Sequence, residues 1–343
     1  MKRDSLGLFF RIEKKLGRGD LFEIISHFAS GEKKLKIYQH EFNDGLGALL
    51  LESKEWHISK FKLPSFQLKT PFKISIIYDG LKGFKEDLTP SQTYWKSFDC
   101  RAPYTNRHLA WRVFSPESTA ALRDFARTRC ISINSLMLAS TNSVITDQLM
   151  SSEQTDCRWL IPVNMRRTQS ERECPQNHTS SVGLRFNRGA SLTEIDQLYR
   201  KAINKWRALA AESLASLAGM LGEKFLFQLA KQRGKRNSWI GSFTNLGVWS
   251  FPDAQQNNNL PEAISVAPPA GTPCFPVGVG IVTWQNHLTL SLRLHPSLVS
   301  NRFELPEEVV NAICVQLSEM LKTELNLKWS SKNFKELQPD HMN

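Results

Sequence analysis

A chain of 343 residues that is 41% apolar and 22% charged can bury a substantial core, and its length suits two globular units better than one. That composition excludes an intrinsically disordered protein. The formal charge of +11 and the pI near 9.4 suit an anionic partner, whether a nucleotide-bearing cofactor, a membrane surface or nucleic acid.

Residues 1 to about 80 read as mixed strand and helix. Lys34-Leu35-Lys36-Ile37-Tyr38-Gln39 alternates as a strand, and Leu46, Leu49 and Leu50 recur at helical spacing behind Asp44, a natural N-cap residue. His40 therefore falls on the loop between strand end and helix start, where an imidazole can face a cleft. Phe72–Tyr78 reads as β-rich, and Gly80–Asn106 dissolves into Gly, Pro, Lys and Asp. A boundary near residue 105 follows, dividing 1–105 from 106–343.

The second part opens on the strand-like Leu109–Phe114, after which Ser115-Pro116 supplies an N-cap and a first-turn proline for a helix carrying Leu122, Phe125 and Ala126. A second helix, rich in Ala and Ser, runs from Asn134 to Leu149. Arg158–Asn164 is a buried-strand candidate leading into the basic turn Met165-Arg166-Arg167. Ser191 to Glu194 is a capping box, and Ile195, Leu198, Tyr199, Ala202 and Trp206 mark one face of a long helix extending through Leu221, Phe225, Leu226 and Leu229. It ends in the basic cluster Lys231–Arg236, whose ordinary role is to complement the helix dipole. Strand-like segments follow at Ser242–Trp249, Val277–Thr283 and Leu288–Leu294. Val309, Ile313, Leu317 and Met320 mark a last amphipathic helix before a polar tail. In Val277-Gly278-Val279-Gly280, the lone G-x-G within an apolar strand reads as close backbone packing, since no G-x-x-G-K extension follows.

The six cysteines, Cys100, Cys130, Cys157, Cys174, Cys274 and Cys314, are far apart and form no C-x-x-C pair. Neither a metal site nor a disulfide framework is indicated, and reduced thiols in the cytosol are the simpler reading. No apolar leader opens the chain, and no run approaches the length that spans a bilayer. Asn177-His178-Thr179 is formally a glycosylation acceptor, but without a secretory signal it carries little weight.

The chemistry concentrates at His40-Glu41-Phe42-Asn43-Asp44-Gly45, an H-x-x-x-D-G pattern. Acyl transfer from a thioester to an alcohol or amine needs a base for the nucleophile's proton and donors for the oxyanion, and a single well-placed histidine can serve as that base. Asp44 reads as a structural anchor, which needs a cationic partner if it is buried.

Gln39-His40-Glu41-Phe42-Asn43-Asp44-Gly45 resembles the H-H-x-x-x-D-G motif of the chloramphenicol acetyltransferase-like superfamily, with glutamine in place of the first histidine. That superfamily includes condensation domains, alcohol acetyltransferases and wax ester synthase/diacylglycerol acyltransferases. Ile161–Arg166 is similar to its P-V-x-x-R strand, and Ser242–Gly247 to its S-N-x-G segment. The resemblance implies an α/β, two-lobe fold of mixed sheets flanked by helices. It places the motif much later in the chain than residue 39, so the first lobe, 1–105, is expected to be abbreviated and 106–343 to form the second.

It further implies His40 as general base and Asp44 as loop anchor, with Thr244 and Asn245 as oxyanion or tunnel residues and Arg166 as a substrate-binding candidate. The donor would be acyl-CoA or an acyl-carrier thioester used as co-substrate, with no permanently bound cofactor or metal. Expected partners are a small-molecule alcohol or amine and an acyl carrier protein. The positive charge permits peripheral membrane contact by a cytoplasmic enzyme, while basic residues without interleaved aromatics argue against nucleic acid. An exposed sheet edge in a short first lobe would favour a homodimer. The rival reading is a non-catalytic condensation-like module for binding or assembly. On the bland reading His40 is a satisfied surface imidazole, Asp44 only a cap, Arg166 a solvated turn residue, and Thr244 and Asn245 a strand end.

Overall fold

The computed structural model describes residues 8, 11–12, 14–16, 21–58, 78, 82–83, 92–99, 102, 108–204, 207–220, 222–233, 239–251, 260–269, 273–299 and 302–330. The expected strand at 72–77, most of the 80–106 linker, residues 234–236 of the basic cluster and the C-terminal tail lie outside them.

In chain order the first elements are β1 (Leu21–His27), β2 (Lys33–Gln39), α1 (Gly45–Glu55), β3 (Leu109–Phe114), α2 (Pro116–Thr128) and α3 (Ile133–Leu149). Next come β4 (Asp156–Asn164), α4 (Gln169–Arg172), β5 (Thr179–Asn187), α5 (Leu192–Asn204), α6 (Arg207–Met220) and α7 (Glu223–Arg233). The chain continues through β6 (Gly241–Trp249), β7 (Ala263–Ala267), β8 (Val277–Trp284), β9 (His287–Leu294), α8 (Pro296–Val299), α9 (Leu305–Leu321) and β10 (Leu327–Ser330). The fold is α/β with mixed sheets flanked by helices. One sheet has the order β2-β1-β7 and is antiparallel, while the other runs β10-β3-β9-β8-β6-β4-β5 with parallel pairs at β4–β6 and β6–β8.

Strand alternation sets the layers. On β9, Leu288, Leu290, Leu292 and Leu294 enter the main core shared with α2, α3, α5 and α9. The intervening Thr289 and Arg293 turn to the other face, where they donate to the carbonyls of Ile264 and Pro268 at 2.8 and 2.9 Å and so satisfy the free side of β7. On β8, Val277, Val279 and Ile281 likewise face the helices, and Gly278 and Gly280 face β7. A β-carbon at Gly280 would lie 2.2 Å from the Val266 carbonyl oxygen, so the G-x-G exists for backbone approach, as its sequence context indicated. A second core, with Phe22, Ile24, Leu46, Leu49, Leu50, Leu246, Trp249 and Trp284, joins the small sheet and α1 to β6 and β8. The buried ion pair between Glu23 and Arg293, 2.5 Å, pins β1 to β9.

Several local signals formed as expected. Ser115 caps α2 through the Ser118 N–H at 3.2 Å with proline in the first turn, and Ser191 and Glu194 make both bonds of their capping box. The single long helix expected after Ser191 does not run unbroken to Leu229, because α7 is a separate helix that starts after Gly222. Gly222, at φ +88°, adopts a left-handed conformation between α6 and α7 that a continuing helix cannot contain. Strand β7, from the segment after residue 105, pairs with β1 and completes the small sheet, so that sheet draws on both parts of the chain.

Buried imidazoles make the fold acid-sensitive. Burial, reinforced by Lys33 and His287, pushes His27 down to about 3, and burial beside His108 pushes His295 down to about 4. Both stay neutral when folded but protonate near 6.5 when unfolded, so stability is intact above pH 6.5 and falls as the pH drops from there towards 4. The slope should be about 1.4 kcal/mol per pH unit for each histidine. Urea unfolding midpoints between pH 4 and 7 test this: His27→Gln should flatten the slope, and an unchanged slope would remove His27 as its source.

Candidate functional site

Strands β4 and β6 pair only where Trp159 meets Gly241 and Leu160 meets Ser242. Beyond these residues the two no longer pair with each other, although β4 stays paired with β5 to Asn164 and β6 with β8 to Trp249. The two parallel strands therefore diverge at their carboxyl ends, the position at which open α/β sheets bind ligands.

The start of α1 lies across this divergence. A β-carbon at Gly45 would stand 2.9 Å from Leu246 on β6, and one at Gly47 would stand 1.9 Å from the Pro175 carbonyl in the loop between β4 and β5. Gly47 thus permits backbone contact with that loop. The Asn177 N–H donates to the Phe42 carbonyl at 3.1 Å, and the Asn43 amide to the Pro175 carbonyl at 2.9 Å. The Gln39 carbonyl accepts from the N–H groups of Phe42 and Asn43, closing the turn that carries His40.

Asp44 is the hub. Its Oδ1 accepts from the Gly47 N–H at 2.7 Å, capping α1, and from Arg166 Nη2 at 2.9 Å. Its Oδ2 accepts from Arg166 Nη1 at 2.8 Å, the His178 N–H at 2.9 Å and Thr179 Oγ1 at 3.1 Å. Arg166 is wholly buried and also donates to the Gln176 carbonyl at 2.7 Å and to Asn164 Oδ1 at 3.1 Å. Such a pair survives away from water only with a bidentate geometry and further hydrogen bonds, and it has both. Arg166, a substrate-binding candidate from the sequence, is the cation that the buried Asp44 needs.

His40 is half-buried, its ring edge-on to Phe22 with centroids 5.4 Å apart. Asn177 Nδ2 reaches its Nδ1 at 3.0 Å and donates to its carbonyl oxygen at 2.8 Å. On β6, Asn245 donates to Asn134 Oδ1 of α3 and accepts from the Gly247 N–H at 2.8 Å. This amide is engaged on the helix side. Thr244, half-buried, alternates to the opposite face, that of Leu246 and Gly45. The β-bulge between Asn245 and Val248, with Gly247 at φ +85°, then lets Leu246 and Trp249 enter the same core.

The structure thus gathers His40, Asp44 and Arg166 beside the carboxyl end of β4. Asn164, Asn177 and Thr179 complete the group and were not among the residues singled out for it. Asn177 had a sequence signal, the N-x-T triplet, but that pattern pointed to glycosylation. Among the described residues no cluster of His, Cys, Asp or Glu could hold a metal ion, and no helix is long and apolar enough to cross a membrane.

No family model and no curated protein matches the sequence. The fold, however, is that of condensation domains and related acyltransferases. A trichothecene 15-O-acetyltransferase from Fusarium sporotrichioides is 13% identical with a TM-score of 0.60, over 92% of this chain and 74% of that one. The condensation domain of a Monacolin K polyketide synthase is 11% identical at TM-score 0.53, over 87% and 71%. The epimerization domain from the third module of tyrocidine synthetase B is 11% identical at 0.52, over 85% and 69%.

Proposed function

We propose that this protein transfers an acyl group from a thioester, carried by coenzyme A or an acyl carrier protein, to the hydroxyl or amine of a small acceptor. The observation that carries this reading is the placement of His40 on a loop held by the buried Asp44–Arg166 pair beside the diverging carboxyl ends of β4 and β6. The shared fold with an acetyltransferase and with condensation domains supports it.

In this scheme His40 takes the acceptor's proton as its oxygen or nitrogen attacks the thioester carbonyl. The tetrahedral oxyanion then collapses, the carbon–sulfur bond breaks, and the thiolate leaves with the proton that His40 returns. Thr244, on the face of β6 turned towards the start of α1, is the side-chain donor proposed for the oxyanion. Asp44 and Arg166 hold the loop and take no proton. A precisely held base contributes roughly 10²–10⁴-fold, which is why a rigid mount matters. Residues 1–105 and 106–343 would form the two lobes, with β7 returning from the second to the first.

The test is release of free thiol from a panel of acyl-CoA and acyl-carrier donors with mixed alcohols and amines. Acceptor-dependent release is expected. Saturable donor binding without release would support the binding-module reading instead.

A further inference from the structure

Resting on that reading, the side chains around β6 add a device that positions its bulge. The two ladders that place β6 elsewhere are both interrupted there. Pairing with β4 ends at Ser242, and the register with β8 shifts between Asn245 and Val248. Side chains take over at the bulge. Trp249 Nε1 donates to the Leu246 carbonyl at 2.7 Å, and Asn245 Oδ1 accepts from the Gly247 N–H at 2.8 Å. A main-chain N–H can only donate, which fixes the Asn245 amide with its Nδ2 towards α3. That Nδ2 donates to Asn134 Oδ1 in the first turn of α3, and Asn134 Nδ2 donates to the Tyr199 hydroxyl of α5 at 2.9 Å. The far end is itself braced. Asp196, one turn before Tyr199, accepts from the Ser132 N–H and from Ser135 Oγ, both at 2.8 Å. The bonds thus run in one direction, from Gly247 on β6 through α3 to the phenol on α5.

We propose that Asn245, Asn134 and Tyr199 are positioning residues, a strut that holds the β6 bulge against α3 and α5. Its consequence for the proposed chemistry passes through two neighbours. Thr244, the proposed oxyanion donor, directly precedes Asn245. Leu246, which follows it, packs where a β-carbon on Gly45 would stand 2.9 Å away, next to Asp44. Bulges beside active sites serve to aim a side chain in this way. A donor aimed at the oxyanion acts in the transition state, so a loosened bulge lowers kcat and leaves KM nearly unchanged. The Tyr199 hydroxyl can accept or donate, so the strut tolerates a change of polarity at Asn134. An aspartate there would accept from Asn245 Nδ2 and from the Tyr199 O–H, whereas a leucine of similar size would end the chain of bonds.

The experiment is hydrogen–deuterium exchange of the β6 peptide, paired with thiol-release kinetics, for wild type, Asn245→Ala, Asn134→Leu, Asn134→Asp and Tyr199→Phe. Asn245→Ala and Asn134→Leu should speed exchange across the bulge and lower kcat roughly ten- to a hundredfold, with KM within about twofold. Tyr199→Phe removes a single oxygen at the end of the strut and serves where the other variants do not fold. It should speed β6 exchange and lower kcat several-fold. Asn134→Asp should stay close to wild type in both readouts. Wild-type exchange and kcat in folded Asn245→Ala or Tyr199→Phe would overturn the proposal. So would an Asn134→Asp variant as impaired as Asn134→Leu, or a loss carried by KM alone, which would make these residues substrate contacts. If no donor releases thiol, the acyl-transfer reading fails, and with it the effect on turnover. The strut itself is still decided by the exchange rates.

Discussion

Replacing His40 with alanine should lower turnover by roughly two to four orders of magnitude and leave the melting temperature close to that of the wild type. The asymmetry follows from what the ring touches. Its imidazole packs edge-on against Phe22 and meets the Asn177 amide, whereas the loop's main-chain bonds do not involve the side chain. Truncation therefore removes the proposed base but keeps the Asp44–Arg166 mount and the turn closed by Gln39. Acceptor-dependent thiol release by purified protein is the measurement, with Tm recorded on the same sample. Unchanged turnover in a folded variant would take His40 out of the mechanism. Residual turnover above the uncatalysed rate is expected, because the proposed site would still bring donor and acceptor together.

The second large effect is on stability. Arg166→Met leaves the Asp44 carboxylate buried without its cation, and breaking a buried pair from one side typically costs about 3–5 kcal/mol. Asp44→Asn strands the guanidinium of a residue with no solvent exposure, and it also weakens the cap on α1. Each single variant should melt markedly lower and lose activity as the loop loosens. The double variant should cost clearly less than the sum, since it leaves no unpaired charge. Urea unfolding of the four proteins gives the cycle. Additive losses would show that the two side chains are not coupled, and an Asp44→Asn variant with native melting but little turnover would give Asp44 a direct chemical role.

The parts of this fold that were legible in the sequence are those whose causes lie within a few residues. Asp44 as the cap of α1, Ser115-Pro116 at α2, the capping box at Ser191, and the strands at 109–114 and 288–294 all rest on local periods and local hydrogen bonds. Gly222 shows the limit of such reasoning. The apolar spacing around it continues as in a helix, and only its left-handed backbone ends one. Strand β7 was not anticipated because a five-residue Ala-Ile-Ser-Val-Ala segment acquires its meaning from β1 on one side and from Thr289 and Arg293 on the other.

By itself the sequence determined the α/β class, the loop that presents His40, and the need of a buried Asp44 for a cation. The tertiary structure decided which cation, since Arg166 lies 122 residues away and reads locally as an exposed turn residue. It also turned Asn245 towards α3 and brought the Asn177 amide onto the His40 ring. The physical reason is the range of the interactions. Caps, turns and periodicity are decided by neighbours along the chain, while the partners of a buried charge and of an imidazole are decided by whichever distant polar groups the packing of two sheets brings within about 3 Å.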